Sequence, residues 1–331
     1  MEQEKWGLVL SGGGGKGAYQ IGILKAMSEL GLLDQVAAVA GSSIGALNAV
    51  LLAQNNVEKM QEVWRELSAV QIFSDKKTEA DGIEAIIQMF GNIAEFLESA
   101  TLEEYLLTGR TDGFCSRDGL MEIIDKEIDF DLVRAFPSEI YVTIAKMEQS
   151  VPVAEYHTLR DKSDADIKTL LSASSALPVI YDAVEWNGVY YRDGGIADNA
   201  PEKPLRDLGI KHIITIRHTK GEVVLPKYEA GVEQEIVIRP SHSIGDFVDG
   251  TIDFSHDNIL YRMALGYRDG LCVFQEYDRI NRGKASTALD FKMRMLENHG
   301  KAQADVRRTG LQEDVERHFA EFAKYEHYYE K

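Results

Sequence analysis

Cysteine is scarce in this 331-residue chain, which has two, Cys115 and Cys272. Two cysteines so far apart form neither a disulfide framework nor a set of closely spaced metal ligands, which is typical of a reducing compartment. A long apolar run is missing too, so we expect no helix that crosses a membrane. The N-terminus lacks the basic and apolar stretches of a secretory signal. We therefore expect a cytoplasmic protein that touches a membrane at most peripherally.

Basic residues are outnumbered, since 36 lysines and arginines stand against 54 aspartates and glutamates, a net charge of −18. This balance argues against nucleic acid as a partner, because phosphate contacts need many basic side chains. The charge is uneven: residues 203–227 hold six basic and two acidic side chains. That segment could face anionic lipid headgroups, although we favour a solvated surface. Residues 79–104, with seven acidic and no basic side chains, would be repelled by such a lipid surface.

Hydrophobic residues make up 44% of the chain and charged residues 27%, the proportions of a globular protein with a substantial core. Short apolar runs alternate with helical patterns, which predicts an α/β fold with a mostly parallel central sheet. The predicted strands are residues 6–10, 36–40, 140–145, 189–191, 213–217 and 235–239. The predicted helices are residues 18–30, 46–53 and 57–70, an apolar stripe at 83–97, and most of the chain beyond residue 255.

The clearest chemical motif is Gly41-x-Ser43-x-Gly45, between a predicted strand and a predicted helix. A serine on such a sharp strand-to-helix turn is typical of a nucleophile elbow, and the glycines admit the tight backbone. Ser43 is therefore a candidate nucleophile. The alternative is a serine in an ordinary glycine turn.

A second glycine motif, residues 11–17, follows the first predicted strand. The loop does not match a phosphate-binding P-loop at two positions. Leu10 occupies the position of the first glycine, and Gly17 occupies the position that requires serine or threonine. A dinucleotide site matches the motif Gly12-x-Gly14-x-x-Gly17, but this interpretation is weak because the next strand does not end in an acidic residue. The third interpretation makes backbone amides of this loop an oxyanion hole for Ser43. The candidate residues are Gly12, Gly13, Gly14, Gly15, Lys16 and Gly17.

Ser43 needs a base, because a serine hydroxyl is a weak nucleophile by itself. Among the eight histidines, four near the ends of predicted strands are the strongest candidates. An aspartate is the other option: of six Asp-Gly pairs, Asp193 alone precedes two glycines, Gly194 and Gly195, after a strand-like run. The residues leave both kinds of base open at this point. The four histidines are His157, His212, His218 and His242.

Together these motifs resemble those of the patatin-like phospholipase family. The matching segments are Ser11-Gly-Gly-Gly-Gly-Lys-Gly17, Gly41-Ser-Ser-Ile-Gly45 and Asp193-Gly-Gly195, joined by Ala173-Ser-Ser-Ala-Leu-Pro178 and Asp198-Asn-Ala-Pro201. The resemblance implies a three-layer α/β/α fold with additional C-terminal helices. The catalytic core would span residues 5–220, with 71–135 as a helical lid or insertion. Residues 221–331 would complete the sheet and pack on the same domain.

The resemblance further implies a lipid acyl hydrolase that acts through a Ser-Asp dyad on a phospholipid or another acyl ester, without a cofactor or metal. Ser43 would be the nucleophile, Asp193 the general base and the glycine loop the oxyanion hole, with Lys16 at the family's basic position. Two alternatives stay open: a catalytically degenerate binding or scaffold protein, and a Ser-His esterase. The turns around the pair would be formed by Gly41, Gly45, Gly194 and Gly195.

Overall fold

The computed structural model describes residues 5–75, 111–148, 151–284 and 287–326. The apolar stripe at 83–97 and the acidic stretch 79–104 lie outside these residues, as does the centre of the expected lid at 71–135.

Eight strands form the central sheet in the described part of the chain: β1 (Trp6–Leu10), β2 (Val36–Ser42), β5 (Glu139–Glu148), β6 (Val151–Thr158), β7 (Val184–Trp186), β8 (Val189–Asp193), β9 (His212–Ile216) and β10 (Gln234–Ile238). Two short strands, β3 (Ser74–Asp75) and β4 (Cys115–Ser116), pair with each other. The sheet order is β10-β9-β1-β2-β5-β8-β7, and β6 pairs with β5. The first five of these are parallel, whereas β6 and β8 are antiparallel to β5, and β7 is antiparallel to β8. The prediction of a mostly parallel sheet is confirmed.

The described helices are α1 (Ala18–Glu29), α2 (Ile44–Leu52), α3 (Val57–Glu66), α4 (Ala69–Ile72), α5 (Asp118–Glu127), α6 (Phe130–Ala135), α7 (Asp164–Ser174), α8 (Lys203–Asp207), α9 (His256–Asn281) and α10 (Ala288–Glu326). The single predicted helix at 57–70 is wrong. It ends at Glu66 because Leu67 is extended and Ser68 begins α4 through a reciprocal capping bond with Gln71. None of the described helices is both long and apolar enough to cross a bilayer.

Side chains of the central strands are buried on both faces of the sheet, as expected where helices cover both. Leu8 and Leu10 of β1 join the main core cluster with α1, α2 and α9. Val9 faces the opposite way and packs with Leu205 of α8. Within the described residues, the sheet therefore has a thick helical layer on one face and a thin one on the other.

Close backbone packing joins α9, in the C-terminal part of the chain, to α1. A Cβ on Gly22 would clash with the carbonyl oxygen of Met263, and one on Gly266 would clash with the carbonyl oxygen of Tyr19. Tyr19 also donates a hydrogen bond of 3.0 Å to the buried carboxylate of Asp269. The C-terminal part of the chain thus supports the helix that follows the glycine loop.

Candidate active site

Ser43 lies in the sharp turn between β2 and α2, with backbone angles φ 54° and ψ −126°. Positive φ strains a residue that carries a side chain, at a cost of about 1–3 kcal/mol, and such strain clusters at active sites. The flanking glycines make the turn possible. A Cβ on Gly41 would clash with the backbone of Gly45, and one on Gly45 would clash with the carbonyl oxygen of Leu10.

The register of the sheet brings Asp193 next to this turn. Ser42, the last residue of β2, pairs with Thr143 of β5, and Asp193, the last residue of β8, pairs with the next β5 residue, Ile144. The Ser43 hydroxyl donates a hydrogen bond of 2.6 Å to Asp193 Oδ2. Two residues that are 150 positions apart in the sequence are therefore in direct contact.

Burial sets the proton affinity of Asp193, which is 3% exposed. Loss of hydration disfavours the charged form and raises the pKa of this carboxyl group to about 6. The hydrogen bond from Ser43 and a bond of 2.7 Å from the Gly195 amide to Oδ1 act in the opposite direction. Near neutral pH the group is mostly ionised and yet a stronger base than an exposed aspartate.

The glycine loop lies against Ser43, since a Cβ on Gly12 would be 3.1 Å from the Cβ of Ser43. The Gly12 amide is occupied, because it donates to Asn199 Oδ1 at 3.1 Å and to the Asn199 carbonyl oxygen at 3.2 Å. The amides of Gly13 and Gly14 have no acceptor among the residues that the structure describes. They lie where the chain enters the helical segment that continues into α1, so they are available to an anion.

Three other predicted glycines lie beneath the site. Each approaches a neighbour so closely that a Cβ would clash with it or crowd it. Gly15 approaches the Asp253 carbonyl oxygen, Gly17 the Ile44 side chain and Gly194 the Thr143 carbonyl oxygen.

A cavity of about 360 Å³ opens in front of Ser43 and Asp193. Gly12, Gly13, Gly14 and Gly195 also line it, and Lys16 and Asp193 are its charged side chains in the described residues. Burial lowers the pKa of the Lys16 ammonium group, although the nearby carboxylates of Asp246 and Asp249 act in the opposite direction. The other walls are mostly apolar: Ile44, Leu47, Ile72, Phe73, Leu120, Leu177, Ile180, Tyr181, Ile196, Phe247, Ile252 and Phe254.

A smaller apolar pocket, of about 40 Å³, adjoins this cavity between α2, α3 and α5. Ile44, Leu47, Ile72 and Leu120 are walls of both. Apolar surface therefore continues from Ser43 into the helical layer, which suits an alkyl chain. No group of three His, Cys, Asp or Glu side chains in the described ranges is arranged to hold a metal ion.

The geometry agrees with the outcome of a family comparison. Residues 8–206, more than half of the chain, match the family model described as patatin-like phospholipase. The chain belongs to the patatin-like phospholipase family. The resemblance inferred from the glycine, serine and aspartate motifs is confirmed.

Relatives of this patatin-like chain are much longer proteins. Lysophospholipase NTE1 of Candida albicans is 24% identical over 217 residues, which are 65% of this chain and 13% of that protein. Patatin-like phospholipase domain-containing protein 7 of Rattus norvegicus is 26% identical over 210 residues, which are 63% of this chain and 13% of that protein. Among solved structures, VipD from Legionella pneumophila has a TM-score of 0.52 at 15% identity, covering 96% of this chain and 77% of VipD. The VipD likeness supports the fold alone.

Two polar contacts of the patatin-like site were not predicted as functional. Ser174, at the end of α7, accepts a hydrogen bond of 2.9 Å from the Ser43 amide and so holds the elbow from outside the turn. Asn199 binds both polar groups of Gly12, as its Nδ2 also donates to the Gly12 carbonyl oxygen at 3.4 Å. Both residues belong to segments that the resemblance had singled out, at 173–178 and 198–201, so a signal was present.

A third contact had no sequence signal. The segment 244–254 packs over the glycine loop, where a Cβ on Gly14 would clash with the carbonyl oxygen of Thr251. Buried Arg262 of α9 holds this segment by donating to the carbonyl oxygens of Ile244, Asp249 and Asp253. A distant arginine therefore shapes one wall of the cavity.

The four candidate histidines are separated by the fold. His157 contacts Glu155 and Trp186, His212 packs on Trp6 and Tyr228, and His242 stacks on His299. His218 alone among the four contacts the glycine loop. No histidine in the described residues hydrogen-bonds to Ser43, whose hydroxyl donates to Asp193.

The basic segment 203–227 is partly neutralised by carboxylates. Lys203 pairs with Asp207, while Arg206 and Arg217 both approach Glu202. Half of its six basic side chains thus have acidic neighbours, which leaves less positive charge for anionic lipid headgroups. This favours the interpretation of the segment as a solvated surface.

Proposed function

We propose that the protein hydrolyses acyl esters of lipids, with Ser43 as the nucleophile and Asp193 as the general base. The observation that carries the proposal is the 2.6 Å hydrogen bond from Ser43 Oγ to the buried Asp193, at the wall of an apolar cavity. A strained serine, an adjacent base and free amides in one cavity are the parts that acyl transfer needs.

The mechanism begins when Ser43 Oγ attacks the ester carbonyl carbon and Asp193 takes the hydroxyl proton. Negative charge develops on the carbonyl oxygen, where the Gly13 and Gly14 amides can donate hydrogen bonds to it. Asp193 then returns the proton to the departing alcohol, leaving the acyl group on Ser43. Water attacks this acyl-enzyme with Asp193 again as the base, which releases the fatty acid and restores the serine.

The cavity favours a substrate with a long alkyl chain. Its walls are apolar, and the adjoining pocket extends that surface past Leu47 and Leu120. The names of the relatives, a lysophospholipase and a patatin-like phospholipase domain-containing protein, point to phospholipids or lysophospholipids. A peripheral, transient contact with a membrane or micelle would deliver such a substrate.

The two alternative functions have less support. A Ser-His esterase needs a histidine at the serine, and in the described residues that position belongs to Asp193. A degenerate binding protein would have no need for a strained serine that donates to a buried carboxylate.

A panel of phospholipids, lysophospholipids and acylglycerols tests the proposal with three proteins: wild type, Ser43→Ala and Asp193→Asn. We expect each variant to lose at least about 1,000-fold in kcat on whichever lipid wild type cleaves, because each removes a group that reacts directly. Fluorophosphonate should label wild type and not Ser43→Ala.

Ser28→Ala and Asp34→Asn are matched controls, since both residues are exposed at the far end of α1 and beyond it. Both should keep wild-type rates. An active Asp193→Asn enzyme would exclude the dyad, and folded wild type that neither labels nor hydrolyses any lipid would favour the binding protein.

A further inference from the structure

His218 is a buried group that the proposed mechanism does not use. It lies two residues beyond β9 and is 5% exposed. Its ring packs on the glycine loop so closely that a Cβ on Gly13 would clash with Nδ1. Nδ1 lies 2.9 Å from the carbonyl oxygen of Gly12, and the Ser11 hydroxyl is a more distant contact at 3.5 Å.

These contacts define the protonation of the ring. A carbonyl oxygen only accepts hydrogen bonds, so Nδ1 must carry a proton to bind the Gly12 carbonyl group. Nε2 is buried and has no hydrogen-bonding partner among the described residues. In the neutral ring with a proton on Nδ1, Nε2 has only a lone pair. The imidazolium would instead place an unpaired N–H group at this buried position, which is less well tolerated. Burial, together with the positive charges of Lys16 and Arg262, lowers the pKa of His218 to about 4, so the ring is neutral near pH 7.

The Gly12 carbonyl group is linked to the first free amide of the loop. The two belong to the same peptide unit, and in a trans peptide the C=O and N–H bonds point in opposite directions. Glycines on both sides give this peptide unusual freedom to rotate. A donor that holds the carbonyl oxygen on the buried side therefore turns the Gly13 N–H toward the cavity side.

We propose that His218 is a positioning residue of the oxyanion hole, whose Nδ1–H holds the Gly12–Gly13 peptide so that the Gly13 amide faces the reacting carbonyl oxygen. This inference rests on the proposed function of Ser43 and the glycine loop. His218 touches neither the substrate nor the dyad and acts through the peptide alone. Asn199 is a second, weaker donor to the same oxygen, at 3.4 Å.

Two substitutions separate the two ring nitrogens. In His218→Asn the amide nitrogen is attached to Cγ, as Nδ1 is, and can still donate to the Gly12 carbonyl oxygen. In His218→Gln the amide nitrogen is attached one carbon farther out, as Nε2 is. We expect His218→Gln to lose about 100-fold in kcat, because a misdirected oxyanion donor acts on the transition state. KM should change little, and His218→Asn should recover most of the lost kcat.

His157→Gln is the matched control, since His157 contacts Glu155 and Trp186 and not the loop. It should keep the wild-type kcat. Equal loss in the Asn and Gln variants, or a loss confined to KM, would overturn the inference, because a merely structural role would not depend on which nitrogen is replaced.

A second measurement uses the wild-type protein. Nitrogen NMR of ¹⁵N-histidine-labelled protein at pH 7 should show a protonated Nδ1 and an unprotonated Nε2 for the ring whose signals disappear in a folded His218 variant. An Nε2–H tautomer or an imidazolium would overturn the inference. If circular dichroism shows that one variant does not fold, the other variant still assigns the ring, and the tautomer of His218 then tests the inference.

Failure of the inference is distinguishable from failure of the proposed function. If Ser43→Ala still hydrolyses lipid, the proposed function is wrong. If Ser43→Ala is inactive while His218→Gln matches wild type, the dyad stands and His218 has no positioning role.

Discussion

Ser43 and Asp193 are both held in states that an isolated chain would avoid. Ser43 has positive φ, and Asp193 has its carboxyl group out of water. The first places the hydroxyl at the tip of a turn, and the second strengthens the group that would receive its proton in the proposed mechanism. If the pair acts as proposed, it would gain reactivity at the expense of stability, as is common at active sites.

The raised pKa of Asp193 predicts the pH dependence of hydrolysis. A general base must be ionised to accept a proton, so kcat/KM should be constant above about pH 7 and fall tenfold for each pH unit well below about 6. An initial-rate profile between pH 4.5 and 8.5 on a soluble short-chain ester measures this. A profile that stays flat down to pH 4.5 would contradict the role of Asp193.

The same pKa has an opposite effect on stability. The folded pKa of about 6 lies above the usual 3.8, so folding favours the protonated carboxyl group. This contribution to stability is fully present below about pH 3.8 and is lost as the pH rises from there through 6. The loss is about 3 kcal/mol above pH 7. Asp193→Asn, which we expect to be inactive as an enzyme, should therefore be more stable than wild type at pH 8 and lose about half of that advantage at pH 5. Urea unfolding at the two pH values measures it.

The helices α1 and α9 approach each other closely at glycines that both contribute. Gly22 and Gly266 each face a carbonyl oxygen of the other helix. We expect Gly266→Ala to lower the free energy of unfolding by about 1–3 kcal/mol, since an added methyl group must push backbone away from backbone.

Gly300 provides the control for this substitution. It is an exposed glycine within α10, and a Cβ there would meet open space. Gly300→Ala should raise stability by up to about 1 kcal/mol, because alanine favours helix. Equal effects of the two substitutions in urea unfolding would show that the α1–α9 contact tolerates a wider spacing.

Buried strands were easier to predict from the sequence than partly buried ones. β1 was predicted at its observed bounds because its apolar side chains are buried on both faces of the sheet. β6 was missed because it pairs with β5, begins at Val151-Pro152 and is only partly buried, so it has no clear apolar pattern. The Ser43–Asp193 contact depends on the register between β8 and β5. No local pattern encodes that register, and the resemblance supplied the pair.

The cavity is assembled from segments that lie far apart in the sequence. Residues 12–16, 43–47, 72–73, 177–181 and 247–254 all contribute to its walls. Their meeting depends on the sheet order and on Arg262, which holds the last of these segments from α9. The sequence motifs therefore predict the reacting groups but not the shape of the space in front of them.

That shape predicts selectivity for the acyl chain. Leu120 of α5 is a wall of both the Ser43 cavity and the adjoining apolar pocket, so a larger side chain there should block the path between them. We expect Leu120→Phe to lower kcat/KM for long-chain esters about tenfold, because each methylene group excluded from an apolar pocket costs about 1 kcal/mol or more. Short-chain esters that fit beside Ser43 should be hydrolysed at the wild-type rate.

The comparison requires a series of p-nitrophenyl esters of increasing chain length. Leu132→Phe is the control, since Leu132 is 44% exposed on α6 and does not line either space. It should leave the whole series unchanged, whereas Leu120→Ala should shift the preference toward longer chains. Because short esters report on the dyad and long esters on the pocket, a uniform loss across the series in Leu120→Phe would place the acyl chain elsewhere and indicate a disturbed Ser43.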